Sequence, residues 1–234
     1  MRNRIILALL GWALAVPPSH AQSFVEVQFA EASVRLIIPK GYCPISRTDP
    51  LGALHYQLQE QGNAGRNSVA LLFSDCAEWA SRKADPSYLL QRHGNYLFQL
   101  TNGRESLLPA GTTRAELIKV YTDHELKDSG GQAARIQTYL QEKLASVEIA
   151  PVFKGQMNIG MIDRDANAVF MGTGATIEYP TGTVRVIGVT AATTTRRIPL
   201  TLNLYGPIPQ SKGPFSELLN QQKALVSNLI SANE

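Results

Sequence analysis

The stretch that decides the fold is residues 156–206, which read QMNIGMIDRDANAVFMGTGATIEYPTGTVRVIGVTAATTTRRIPLTLNLYG. Near its end, aliphatic side chains recur at every second position: Ile198, Leu200, Leu202 and Leu204. A period of two places these side chains on one face of a β-sheet, whereas a helix would scatter them. We therefore predict a strand over residues 197–205. Pro199 belongs near its start or at a sheet edge, because proline donates no ladder hydrogen bond.

Three further strands are predicted upstream in the same stretch. Residues 183–193 carry apolar side chains on both faces, which indicates a strand inside the sheet. Residues 167–179 place Gly172 and Gly174 on one face, opposite a set of apolar side chains, and glycines there often mark a bulge or a close backbone approach. In residues 156–162 the alternation puts three apolar side chains on one face: Met157, Ile159 and Met161.

The connections between these strands are short. Residues 179–182 read YPTG, which suits a type I turn, and residues 163–167 read DRDAN, which is typical of an Asx turn. A parallel crossover needs a dozen or more residues, so short links predict an antiparallel meander.

The rest of the chain predicts a hairpin and several helices. Residues 24–29 and 33–38 alternate as two paired strands. Helix starts are indicated by Asp49-Pro50, by the capping box of Thr113 and Glu116, and by Pro214. An apolar stripe over residues 133–147 predicts another amphipathic helix. The predicted fold class is α+β: a mostly antiparallel sheet, made of the C-terminal meander and the N-terminal hairpin, covered by amphipathic helices.

Residues 1–21 have the layout of a cleavable secretory signal peptide. Arg2 and Arg4 precede an apolar run of 12 residues, and small residues stand at Ser19 and Ala21 before the expected cleavage site. The apolar run is too short for a stable membrane-spanning helix, although an uncut anchor is the alternative. We therefore expect residues 22–234 to form a single domain, periplasmic or secreted, without a transmembrane anchor.

The charge balance gives no sign of nucleic acid as a partner. The chain has 22 basic and 19 acidic residues, and without Arg2 and Arg4 the difference falls to +1. The basic residues form no run or stripe, so neither a nucleic acid nor an anionic membrane surface is indicated.

Cys43 and Cys76 are the only cysteines, and an even count in an exported chain favours a disulfide. The alternatives are a reactive thiol and a metal pair. A metal site needs more ligands than two cysteines, and neither cysteine lies in a recognisable nucleophile motif. We predict a structural disulfide between Cys43 and Cys76.

No catalytic or cofactor motif stands out. His55, His93 and His124 are far apart in sequence. Neighbours on a helix point to different faces, so His124, between Asp123 and Glu125, is expected at a solvated or packed position rather than in a ligand set. Asp163, Asp165 and Asn167 match the start of a calcium loop, but the required glycine and glutamate do not follow, so a polar turn is favoured. We predict no catalytic residue, no metal site and no cofactor, although a dispersed catalytic set remains an alternative.

The order of elements, together with residues 37–42 (IIPKGY), resembles the Mog1/PsbP-like α/β/α proteins. Members of that group are mostly binding or assembly factors without a shared catalytic set, so the resemblance assigns no role to any residue.

The Gly-Tyr-Cys segment also resembles uncharacterised exported bacterial proteins. The resulting hypothesis is a non-catalytic binding or envelope-assembly accessory factor, with an unknown protein or small-molecule partner in the cell envelope. The alternatives are an envelope hydrolase with a dispersed site and a secreted factor that acts on another cell.

Overall fold

A computed structural model describes residues 23–128, 152–179, 182–208 and 214–234. The predicted signal peptide and the apolar stripe of residues 133–147 lie outside the described residues. Ten strands are described: β1 (Phe24–Phe29), β2 (Ala32–Ile37), β3 (Tyr42–Pro44), β4 (Asn67–Asp75), β5 (His93–Thr101), β6 (Arg104–Glu105), β7 (Val152–Arg164), β8 (Val169–Tyr179), β9 (Gly182–Thr195) and β10 (Ile198–Pro207). The described helices are α1 (Pro50–Asn63), α2 (Cys76–Ala84), α3 (Arg114–Asp128) and α4 (Pro214–Ser231).

The main sheet has the strand order β3-β4-β5-β10-β9-β8-β7, with β6 paired to β5. All of its described pairings are antiparallel, and β7 to β10 form the predicted meander. β1 and β2 pair with each other as a separate two-stranded sheet, which is the predicted N-terminal hairpin. The fold is therefore α+β with a mostly antiparallel sheet, as the sequence pattern predicted.

Two features of the strands differ from what the sequence pattern predicted: the position of Pro199 in the sheet and the row of apolar side chains in β7. Pro199 is the second residue of β10, and β10 is a central strand rather than an edge. It precedes Leu200, where the pairing of β10 with β5 begins, so its missing N–H costs no bond to β5. In β7 the register against β8 shifts between Asn158 and Gly160, and Ile159 is 40% exposed, so the expected apolar row of this strand is interrupted.

The larger hydrophobic core lies on the face of the sheet covered by α4 and the β1–β2 hairpin. The alternating leucines of β10 meet the apolar stripe of α4, including Leu225, Val226 and Leu229, all of them buried. Burial of each such side chain contributes about 1.5–3 kcal/mol. The hydroxyl of Tyr96, at the centre of this core, donates a hydrogen bond of 2.8 Å to the carbonyl of Ile37, which joins the sheet to the hairpin.

The opposite face of the sheet carries α1 and α2 over a smaller core. Tyr56 of α1 and Trp79 of α2 pack with apolar side chains of β4 and β5. The predicted caps are present: Asp49 accepts hydrogen bonds from the first turn of α1, and Thr113 and Glu116 bond reciprocally before α3. In the part of the chain that the structure describes, no helix combines the length and apolarity required to cross a bilayer.

Candidate functional site

A cleft of about 560 Å³ opens at the end of β10, between one face of α4 and the segment that leads into β3. We call it the α4 cleft. Its described lining comes from six parts of the chain: Pro39, Lys40 and Tyr42; Asp75; Arg92; Ile187; residues 204–207; and, on α4, Glu217, Leu218, Gln221, Ala224, Leu225 and Asn228. The cleft thus forms only when the meander, the N-terminal segments and the last helix are assembled.

The floor of the cleft is apolar. It consists of Ile187 from β9, Leu204 from β10, and Leu218 and Leu225 from α4, all of which also belong to the larger core. The period of two in β10 and the spacing of seven residues along α4 aim these side chains at the same layer. The floor is therefore a rigid continuation of the packed interior.

One wall of the cleft is fixed to the sheet by the disulfide. Cys43 and Cys76 are bonded, with 5.0 Å between their Cα atoms, so the structure contains the disulfide predicted from the cysteine pair. Tyr42 pairs with Asp75 across β3 and β4, and the backbone N–H of Cys76 donates a hydrogen bond of 2.9 Å to the carbonyl of Gly41. Because each cysteine adjoins a lining residue, the crosslink fixes the position of this wall.

Arg92 stands on the same wall, between two carboxylates. Its Nε lies 3.3 Å from a carboxylate oxygen of Asp75 and 3.3 Å from one of Glu78. Glu78 also accepts hydrogen bonds from the backbone N–H groups of Gln91 and Arg92, at 2.7 and 2.9 Å. This arrangement orients a guanidinium group whose side chain is still 52% exposed.

Two tyrosines of the cleft stay protonated at neutral pH. Burial raises the pKa of Tyr42 to about 12, with the positive charge of Arg92 opposing the rise. Burial likewise raises the pKa of Tyr205 to about 12. Their hydroxyl groups are therefore hydrogen-bond donors at neutral pH, not bases.

Neither His55 nor His93 is among the described lining residues of the cleft, although His93 packs behind one of them. The ring of His93 stacks on Tyr205 with 4.9 Å between centroids, and that of His55 meets Trp79 edge-on at 5.5 Å. Burial lowers the pKa of both histidines to about 4, so both are neutral at pH 7. The side chain of His124 falls outside the described part. His55 and His93 thus occupy packed positions.

The calcium-like segment forms a polar turn. The Asp165 carboxylate accepts hydrogen bonds of 2.7 and 3.0 Å from the backbone N–H groups of Asn167 and Ala168. Asp163 pairs with Lys223 of α4 instead of facing a shared ion site. Within the residues that the structure describes, no group of three or more His, Cys, Asp or Glu side chains is placed to hold a metal ion.

The cysteines beside the cleft were predicted as a pair from the sequence, but the residues that line the cleft were not predicted as a site. Lys40 and Tyr42 lay within the segment that carried the family resemblance, yet nothing in their spacing pointed to Arg92 or to α4. A cleft built from segments so far apart has no local sequence signature.

No protein-family model matches the sequence, and neither does any curated protein. Among solved structures, the chain is similar to the solution structure of cyanobacterial PsbP (CyanoP) from Synechocystis sp. PCC 6803. The identity is 14% and the TM-score 0.34, over 95% of this chain and 96% of that chain. The resemblances to the Mog1/PsbP-like proteins and to exported bacterial proteins stay predictions.

Proposed function

We propose that this protein is an exported, non-catalytic binding protein whose α4 cleft holds a small amphipathic molecule. The observation that carries the proposal is the composition of the cleft, an aliphatic floor under a rim of hydrogen-bonding and charged groups. A volume of about 560 Å³ lies in the range of small-molecule sites, which combine apolar walls with a few placed polar groups.

The polar groups of the cleft suit binding better than covalent chemistry. The described lining residues include no serine, threonine, cysteine or histidine. The pKa values of Tyr42 and Tyr205 keep both hydroxyls protonated, and Asp75 is held by Arg92 and by the N–H groups that it caps. These groups are arranged to donate and accept hydrogen bonds with a ligand.

The cellular setting of the proposal is the periplasm or the extracellular space. It is supported by the signal-peptide layout of residues 1–21 and by the disulfide, since disulfides persist mainly in oxidising compartments. In that setting the bound molecule would be a component of the cell envelope, or a group presented by an envelope partner protein that this factor helps to assemble.

The test is a titration of residues 22–234 with N-phenyl-1-naphthylamine, a neutral apolar probe that fluoresces when bound. We expect saturable binding at one site. Ala224→Phe fills the cleft from an exposed position of α4 and should weaken binding about tenfold, equal to roughly 1.4 kcal/mol. The matched control is Ser227→Phe, at an exposed position of the same helix outside the lining, which should bind normally.

Two results would overturn the proposal. Equal binding by wild type, Ala224→Phe and Ser227→Phe would show that the cleft is not the site. Turnover of ester or amide substrates that is abolished by Ala224→Phe would instead favour the alternative, an envelope hydrolase with a dispersed site.

A further inference from the structure

We propose that the α4 cleft selects ligands with an anionic head group, which Lys40 and Arg92 bind while the apolar body of the ligand lies on the floor. The inference rests on the proposed function and adds the chemical class of the ligand. It follows from the distribution of charge around the cleft, because the cations and the exposed carboxylate stand on different walls.

Two carboxylates hold the guanidinium group of Arg92 in a fixed orientation. Its Nε faces Asp75 and Glu78, and both carboxylates are anchored by backbone N–H groups, two for each. A guanidinium group offers five N–H donors in a planar fork, so contacts at Nε leave donors on its outer edge. With half of the side chain exposed, that edge is open to a ligand.

Lys40 adds a second positive charge to the same wall. It lines the cleft, is exposed, and makes no ion pair with any residue in the described part of the chain. Tyr42, two residues further on, contributes a hydroxyl whose raised pKa keeps it a donor. This wall therefore presents two cations and a neutral donor, with the carboxylates of Asp75 and Glu78 on the Nε side of Arg92.

The acidic groups of the cleft set the orientation of the ligand. Asp75 shares the wall of the cations, but one of its oxygens caps α2 and the other faces Arg92. Glu217 lies in the first turn of α4, on the opposite wall. An anionic group is therefore attracted to the Lys40 wall and repelled from the α4 wall, and the leucines between them hold the apolar part.

The test compares two probes that share one apolar body. 1-Anilinonaphthalene-8-sulfonate carries a sulfonate, whereas N-phenyl-1-naphthylamine is uncharged. The wild-type protein should bind the sulfonate probe more tightly at low ionic strength, and the ratio of the two affinities should fall as salt is raised, since exposed charges are screened.

Single substitutions test whether Lys40 and Arg92 cause the preference for the sulfonate probe. Lys40→Gln should lower the affinity for the sulfonate probe about two- to fivefold, the range for one exposed charge pair. The affinity for the neutral probe should stay unchanged. Arg92→Lys keeps the positive charge but removes the planar set of guanidinium N–H donors. It should also lower only the affinity for the sulfonate probe, provided that thermal unfolding shows an intact fold. The control is Lys119→Gln on α3, whose lysine pairs with Asp123, and it should affect neither probe.

The outcomes separate the two proposals. Equal affinities for both probes, unaffected by Lys40→Gln, would overturn the anionic preference while the cleft remains a binding site. A sulfonate affinity that Ala224→Phe leaves unchanged would place the anion elsewhere and likewise overturn it. Loss of the proposed function itself would appear as neutral-probe binding that Ala224→Phe does not weaken.

Discussion

Removal of the disulfide gives the most quantitative prediction, because the crosslink closes a loop of known length. Cys43 and Cys76 are separated by 33 positions. The chain-entropy relation for a loop of that length gives about 3–4 kcal/mol of stabilisation, most of it through the unfolded chain. The variant with Cys43→Ser and Cys76→Ser should lose that amount of unfolding free energy.

The loss is measurable by thermal and urea unfolding. For a chain of this size each kcal/mol corresponds to about 2–4 °C, so the melting temperature should fall by about 6–16 °C. Trp79 is a suitable probe, since it is 6% exposed, lies in the helix that begins at Cys76, and is the only tryptophan after residue 21. Its emission should shift to the red in the same transition as the loss of circular dichroism.

The control is wild-type protein under reductant, with thiol titration to show that the bond is open. It should match the double variant, because serine and reduced cysteine remove the same crosslink. A stability loss below about 1 kcal/mol in both samples would refute the reasoning, since the loop between the cysteines would then be constrained without the bond.

Two further predictions concern the sheet. Gly94→Ala should cost about 1–3 kcal/mol in urea unfolding, because the added Cβ would lie 2.4 Å from the ring of Phe73, whereas Gly206→Ala, with its nearest atom at 3.7 Å, should cost little; equal effects would contradict the packing described. Between pH 6.5 and 4 the unfolding free energy should fall with falling pH, because His93 protonates near 6.5 in the unfolded chain but only near 4 when folded, so the unfolded state binds more protons there. His93→Gln should reduce that dependence in urea unfolding at several pH values without abolishing it, because burial lowers the pKa of His55 to about 4 as well. An unchanged slope would show that His93 does not contribute to it.

The fold was predictable where the pattern is local. The alternation over residues 197–205 defined β10, and the caps at Asp49 and Thr113 marked helix starts that the structure contains. These signals depend on a few neighbouring residues. The pairing of β10 with β5 was not predictable in this way, because its partners, such as Leu202 and Tyr96, lie about a hundred positions apart.

The candidate site was predictable only in part, for the same reason. The even number of cysteines predicted the disulfide. The cleft, however, depends on the distance in space between α4 and the wall at Lys40 and Tyr42, and the spacing of residues along the sequence does not determine that distance. The stacking of His93 on Tyr205 was not predictable either, because it requires the β5–β10 pairing to exist first.

The most direct test of ligand binding in the α4 cleft is an amide chemical-shift titration of ¹⁵N-labelled residues 22–234 with 1-anilinonaphthalene-8-sulfonate. The largest shifts should map to the walls and floor of the cleft, including Lys40, Tyr42, Gly206 and Leu218. Shifts confined to α1 and α3, or spread evenly over the surface, would contradict binding in the α4 cleft.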